Sequence, residues 1–189
     1  MSWRSGVTLV AALLCAPSAV GQEAISYKLL ATSKTSTMQK EMNEAAEAGY
    51  RFSAAMGGET AMGGSEVVVA MSKAGPPRGR FSYRLLATNK TSTMQKEIQE
   101  AADAGFGYRG QTVFTSAFGG DEVVVILERD DDAPATLEYK LLATSRTGTM
   151  QKELSAAGQI GFELVGVTMG ATALGGKEVV AITQRPRRD

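Results

Sequence analysis

The sequence predicts an α+β fold of three tandem β-α-β-β repeats, packed together after a cleaved signal peptide. Three observations support this. A Tyr-Lys/Arg-Leu-Leu-Ala-Thr segment occurs three times, at Tyr27, Tyr83 and Tyr139, about 56 residues apart. A Thr-Met-Gln-Lys-Glu segment follows each copy at Thr37, Thr93 and Thr149. A Gly-Gly pair and a Glu-Val-Val run close each copy, at Glu66, Glu122 and Glu178. The copies align without gaps, which indicates duplication within one chain. The repeats are expected at 22–75, 76–131 and 132–189.

The first segment alternates as a strand. Tyr27, Leu29 and Ala31 share one face; Lys28, Leu30 and Thr32 share the other. Apolar groups on both faces predict a central strand. Next comes a hydroxyl-rich turn, Thr32-Ser33-Lys34-Thr35-Ser36-Thr37. Its oxygens suit the unpaired N–H groups of a helix start, so a Ser or Thr N-cap is expected. The helix then runs to about Ala48, with Met38, Met42, Ala45 and Ala46 as its apolar stripe. Lys40 and Glu44 are spaced to pair on the wet side. Gly49, Gly105 and Gly161 stand where a left-handed C-terminal residue is expected.

The second strand opens on Tyr50, Phe106 or Phe162 and alternates through Phe52, Tyr108 or Leu164. The third is β-branched, as in Val67-Val68-Val69. These two form an antiparallel hairpin, and the helix is a crossover between the first two strands, right-handed by the usual chirality. The linkers, Ala74-Gly75-Pro76-Pro77 and Asp130-Asp131-Asp132-Ala133-Pro134, are polar and broken by proline. The tail after Arg185 is expected to fray. One such unit buries little core by itself. Packing is therefore expected, about a pseudo-threefold axis or through one sheet extended between neighbours, to hide open strand edges; three loosely tethered beads are the alternative.

The N-terminus reads as a secretory signal. Arg4 is the positive residue, 7–15 is a short apolar run, and Ala16-Pro17-Ser18-Ala19-Val20-Gly21 supplies the small residues of a cleavage region. Cleavage is expected before Gln22, with 1–21 removed. The apolar run is too short to span a bilayer, so no stable membrane span is expected after cleavage. The resulting localisation is periplasmic or secreted. Cys15 is the lone cysteine and would leave with the signal.

Composition narrows the chemistry. Lys plus Arg equals Asp plus Glu, 20 against 20, so no net field favours nucleic acid. Histidine is absent, which removes the commonest general base and metal ligand. The sequence calls for no catalytic residue, cofactor or metal.

The best candidate site is the basic hydroxyl turn at each helix start. It comprises Lys34, Thr35 and Thr37 in copy one, Lys90, Thr91 and Thr93 in copy two, and Arg146, Thr147 and Thr149 in copy three. Free N–H groups and the helix dipole attract anions there. The frame is not a P-loop. Glu66, Glu122 and Glu178 would converge on a cation such as Ca²⁺ if the copies met on a threefold axis, and otherwise guard the strand start. Asp130-Asp131-Asp132 reads as a solvated linker. Gln39-Lys40-Glu41 and its copies read as an outer helix face, self-paired or recognised by a partner. The methionines, Met56 and Met62 among them, read as core. Gly148, Ala156, Gly158 and Ile160 set the third helix apart, as if it met another repeat.

Copy three contains Leu137-Glu138-Tyr139-Lys140, then Gly161-Phe162-Glu163-Leu164-Val165, then Val179-Val180-Ala181-Ile182. In these segments it resembles a family of small bacterial domains of unknown function with a Tyr-Lys strand, a helix and a Gly-Trp-Glu-Leu-Val strand. Phe162 stands where that family has tryptophan, and Tyr50 and Phe106 do likewise. The resemblance implies the β-α-β-β unit and a bacterial source, and it implies no catalytic residue. The expected function is an exported, non-catalytic binding or structural module of the bacterial envelope, with an envelope protein as partner. The alternatives are a small-anion or small-molecule binder using the basic turns, and a Ser/Lys-type hydrolase.

Overall fold

The computed structural model describes residues 24–59, 65–76, 79–88, 90–115, 121–171 and 177–187. The expected signal peptide, the three Gly-Gly pairs and Met62 lie outside these residues. Repeat 1 contains β1 (Ile25–Thr32), α1 (Thr35–Glu47), β2 (Arg51–Glu59) and β3 (Ser65–Ala74). Repeat 2 contains β4 (Phe81–Thr88), α2 (Thr91–Asp103), β5 (Gly107–Thr115) and β6 (Asp121–Asp130). Repeat 3 contains β7 (Leu137–Thr144), α3 (Thr147–Gln159), β8 (Glu163–Ala171) and β9 (Lys177–Pro186). Three tandem β-α-β-β units are therefore present, and they pack on one another.

Each repeat forms its own three-stranded antiparallel sheet, ordered β1-β3-β2, β4-β6-β5 and β7-β9-β8. The last two strands of each repeat form the expected hairpin. The central strand, however, is the closing one and not the opening one. The reason is visible in β6, where Val123, Val124, Val125, Ile126 and Leu127 are all buried. Alternate residues enter two different cores, so this strand is covered on both faces as well as both edges. The opening strand is an edge. The crossover helix thus connects two parallel strands on either side of the central one.

The helices follow their sequence signals closely. Met38, Met42 and Ala45 of α1 are fully buried against their own sheet. Lys40 and Glu44 pair on the wet side, as do Lys96 and Glu100. Gly49, Gly105 and Gly161 have φ of 86°, 86° and 88°, the left-handed stop that glycine adopts without a Cβ clash. The expected hydroxyl N-cap is not formed. Lys34, Lys90 and Arg146 occupy the cap positions, extended and without a side-chain cap bond. Thr32, Thr88 and Thr144 instead accept the cap residue's own N–H at 3.1–3.2 Å, closing a small turn before the helix. At the other end, Lys73, Arg129 and Arg185 each donate to a last-turn carbonyl, of Ala48, Ala104 and Ile160. Each also lies over the aromatic ring that opens the second strand. A cation at a helix C-terminus suits the dipole.

The repeats stack front to back, if the front of each sheet is the face under its own helix. The first core joins the front of sheet 1 (Leu30, Val67, Val69, Met71) and α1 to the back of sheet 2 (Tyr83, Leu85, Val124, Ile126). The second joins the front of sheet 2 and α2 to Tyr139 and Ile182 on the back of sheet 3. The third, under α3, is built from repeat 3 alone. This arrangement corrects the expectation of a shared extended sheet, since the three sheets are separate. The stack is also open: Tyr27, on the back of sheet 1, is 67% exposed.

Met56 is an exposed back-face residue and not core. The acidic linker is not merely solvated: Asp131 accepts from Arg129 and Ser82, and Asp132 from Arg80. These partners hold the Asp131 carboxyl below the usual carboxylate range, Arg129 first among them. The tail is tied down as far as Arg187, which bonds the Thr136 carbonyl through its N–H and Asp103 through its guanidinium.

Candidate functional site at the repeat junctions

An edge strand leaves a row of N–H and C=O groups unpaired. Here the preceding repeat's helix closes that row with amide side chains. On α1, Gln39 Oε1 accepts the Leu85 N–H at 2.9 Å, and Asn43 both accepts from the Tyr83 N–H and donates to its carbonyl. On α2, Gln95 and Gln99 accept the N–H groups of Leu141 and Tyr139 at 2.7 and 2.9 Å and donate back to strand carbonyls. The glutamine of the repeated Gln-Lys-Glu segment is thus a contact with the next repeat, which corrects its placement on an outer face. Its helix places Gln39 one turn before Asn43, matching the two-residue spacing of outward N–H groups along a strand.

A tyrosine completes each junction. Tyr83 Oη accepts the Phe52 N–H at 2.8 Å, and Tyr139 Oη accepts the Tyr108 N–H at 2.7 Å. The second and third strands of the two repeats also meet here. Gly110 and Gly166 permit that approach. A Cβ on Gly110 would lie 3.0 Å from the Phe52 ring, and one on Gly166 would lie 2.5 Å from Tyr108 Oη.

Each hydroxyl donates to a different acceptor. Tyr83 donates to Glu128 at 2.7 Å; Tyr139 donates to Gln184 at 2.9 Å. Glu128 is 5% exposed and lies between two arginines, with Arg51 of repeat 1 at 2.7 Å and Arg109 of its own repeat at 2.6 Å. Arg51 also stacks on Phe81, 4.1 Å from its centroid. Burial pushes the Glu128 carboxyl up, but Arg51, Tyr83 and Arg109 together outweigh it, so the net direction is down. Burial pushes Tyr83 up strongly, and Tyr108 and Tyr139 up to about 12. A groove of about 320 Å³ opens beside this cluster, lined by Arg51, Tyr108, Arg109, Glu128 and Gln184. Chemically, the cluster is a buried carboxylate clamped between two half-exposed arginines, one of which latches repeat 1 to repeat 2. The neighbouring Gln111 amide is buried without a hydrogen-bond partner.

The basic turns lie at three separate helix starts. Lys34, Lys90 and Arg146 are exposed N-caps, Thr35, Thr91 and Thr147 are the first helical residues, and Thr37, Thr93 and Thr149 lie in the first turn. Thr91 Oγ1 donates to Glu178 of repeat 3 at 2.8 Å, so one turn already holds a neighbour's carboxylate. Among the described residues, no group of three or more carboxylates, cysteines or histidines is placed to hold a metal ion. No helix among them is long and apolar enough to cross a membrane.

Glu128, Arg51 and Arg109 are not among the residues that the sequence singles out. Their signal is a break in the repeat: Glu128 aligns with Ser72 and Gln184, Arg51 with Gly107 and Glu163, and Arg109 with Ser53 and Val165. Comparison with family models, curated proteins and solved structures finds no match to this chain.

Proposed function

We propose that this chain is an exported, non-catalytic repeat protein acting as a binding or structural module of a bacterial envelope. The observation that supports this is the unmatched back of sheet 1. Tyr27 and Leu29 are 67% and 71% exposed, while the aligned Tyr83 and Leu85 are 2% and 8% exposed beneath α1. An apolar face that is a contact surface in the next repeat is exposed here, which supports a docking role. The buried Tyr83, Tyr139 and Glu128 serve contacts between repeats, which suits a scaffold. Export is supported by the short apolar run and small-residue region before Gln22. The bacterial setting rests on the resemblance of copy three to small bacterial domains.

A direct test expresses the chain in a bacterium with a photoreactive residue in place of Leu29. The expected result is a chain beginning at Gln22, outside the cytoplasm, crosslinked to protein. Retention with an intact N-terminus sinks the export reading, and irradiation without any crosslink sinks the docking reading.

A second reading is an anion binder at the basic turns. It is favoured by cations standing at three helix N-caps, where the dipole opposes them unless an anion is near. Its test is stabilisation by inorganic phosphate that disappears when Lys34, Lys90 and Arg146 are all changed to Ala.

A further inference from the structure

We propose that the chain self-associates head to tail, with the front of repeat 3 docking on the back of repeat 1 of a second copy. This rests on the reading of the chain as a docking module, and it names the partner. Each internal junction joins two different surfaces, the front of one repeat and the back of the next. The three described repeats leave one of each unmatched, at opposite ends. The exposed large hydrophobics among the described residues lie at those ends. Tyr27, Leu29 and Met56 are on the back of sheet 1. Leu164, Val167 and Met169 align with Phe52, Ala55 and Gly57, on the face that forms the front of sheet 1. The chain's own repeat 3 does not cover Tyr27, so the open halves await another molecule.

The two ends also complement each other in detail. At both internal junctions a front-face aromatic, Phe52 or Tyr108, meets a glycine, Gly110 or Gly166. At the ends the aligned pair is Leu164 and Ala54. A smaller front-face residue is thus matched by an added back-face methyl, conserving volume across the contact. The hydrogen bond from Thr91 to Glu178 has its terminal counterpart in exposed Thr147 and half-buried Glu66. Gln151 keeps one of the two amides that close a strand edge, and it now bonds Ser155 on its own helix. Ser155 replaces the second amide, Asn43 or Gln99, and is too short to reach a strand. The terminal contact therefore has the same geometry with one amide fewer. A heterologous contact of this kind extends into a filament or ring rather than closing as a twofold dimer.

Sedimentation of the purified full chain, its N-terminus defined by mass spectrometry, tests this. Average mass is expected to rise about twofold or more between roughly 1 and 100 µM. Leu29→Lys and Val167→Lys should each remain monomeric with an unchanged circular dichroism spectrum, since both positions are exposed. Their equimolar mixture should form a heterodimer and nothing larger, because each keeps the half that the other has lost. Ser155→Asn should tighten association by about fivefold, one added hydrogen bond. A wild-type chain that stays monomeric at about 100 µM overturns the proposal. So does a mixture without heterodimer, or association that survives both lysines. If the purified chain is monomeric while the Leu29 crosslink captures a different protein, self-association fails and the docking module stands.

Discussion

The two internal junctions have one geometry and two different centres. Between repeats 1 and 2, the tyrosine donates to a buried carboxylate held by two arginines. Between repeats 2 and 3, it donates to the neutral Gln184, and the arginine positions hold Gly107 and Val165. In the second junction a Cβ on Gly107 would lie 3.4 Å from Leu137, so the space opposite Arg51 is given to apolar packing. Both junctions keep an acceptor for the tyrosine and amides on the strand edge. Charge at the centre is optional, and it brings a desolvation cost that Glu128 meets only through three partners.

The largest expected break is Glu128→Ala. It leaves the buried Tyr83 hydroxyl without its acceptor and two half-exposed arginines without a counter-ion, and should cost about 2.5 kcal/mol in urea unfolding. Glu128→Gln, which copies the second junction, should cost roughly 1 kcal/mol. Gly166→Ala comes next, at about 2 kcal/mol, because the new Cβ meets Tyr108 and Gln111 at under 3 Å. The same change at Gly110 should cost less, since its nearest contact, the Phe52 ring, lies at 3.0 Å rather than 2.5 Å. Gln95→Ala should cost about 1 kcal/mol in the purified monomer by uncovering the β7 edge, whereas Gln151→Ala should stay within about 0.5 kcal/mol.

The pH dependence sharpens the same comparison. Glu128 is held below its unfolded value of about 4.3, so its contribution is complete above that pH and is lost as pH falls through the folded value. Acid unfolding curves should therefore flatten in Glu128→Gln. At high pH the raised phenols act in the opposite sense. Tyr108 and Tyr139 bind their protons more tightly when folded, so stability is full below about 10 and declines as pH rises towards about 12. Tyr139→Phe should remove part of that alkaline decline.

Much of each repeat is legible one element at a time. Met38, Met42 and Ala45 reveal a buried helix face, and Gly49 its stop, because a helical period and a left-handed φ are local properties. Tyr27, Leu29 and Ala31 reveal a strand. Its edge position is not legible, since both faces look apolar whether the covering comes from its own helix or from the preceding repeat. Gln39 illustrates the same limit. On a helix read alone it is a polar residue beside Lys40, and only the neighbouring edge at Leu85 gives it a purpose. Glu128, Arg51 and Arg109 were visible only as departures from the aligned copies.

The sequence by itself determined the triplication, the order of strands and helices, and where each helix ends, all through short-range periodicity and backbone sterics. The tertiary structure alone decided that the closing strand is central, that the sheets stack front to back, and that the stack is left open. Those outcomes depend on which surfaces meet between residues about 30 or more positions apart, where burial and edge hydrogen bonds, and no local preference, set the energy.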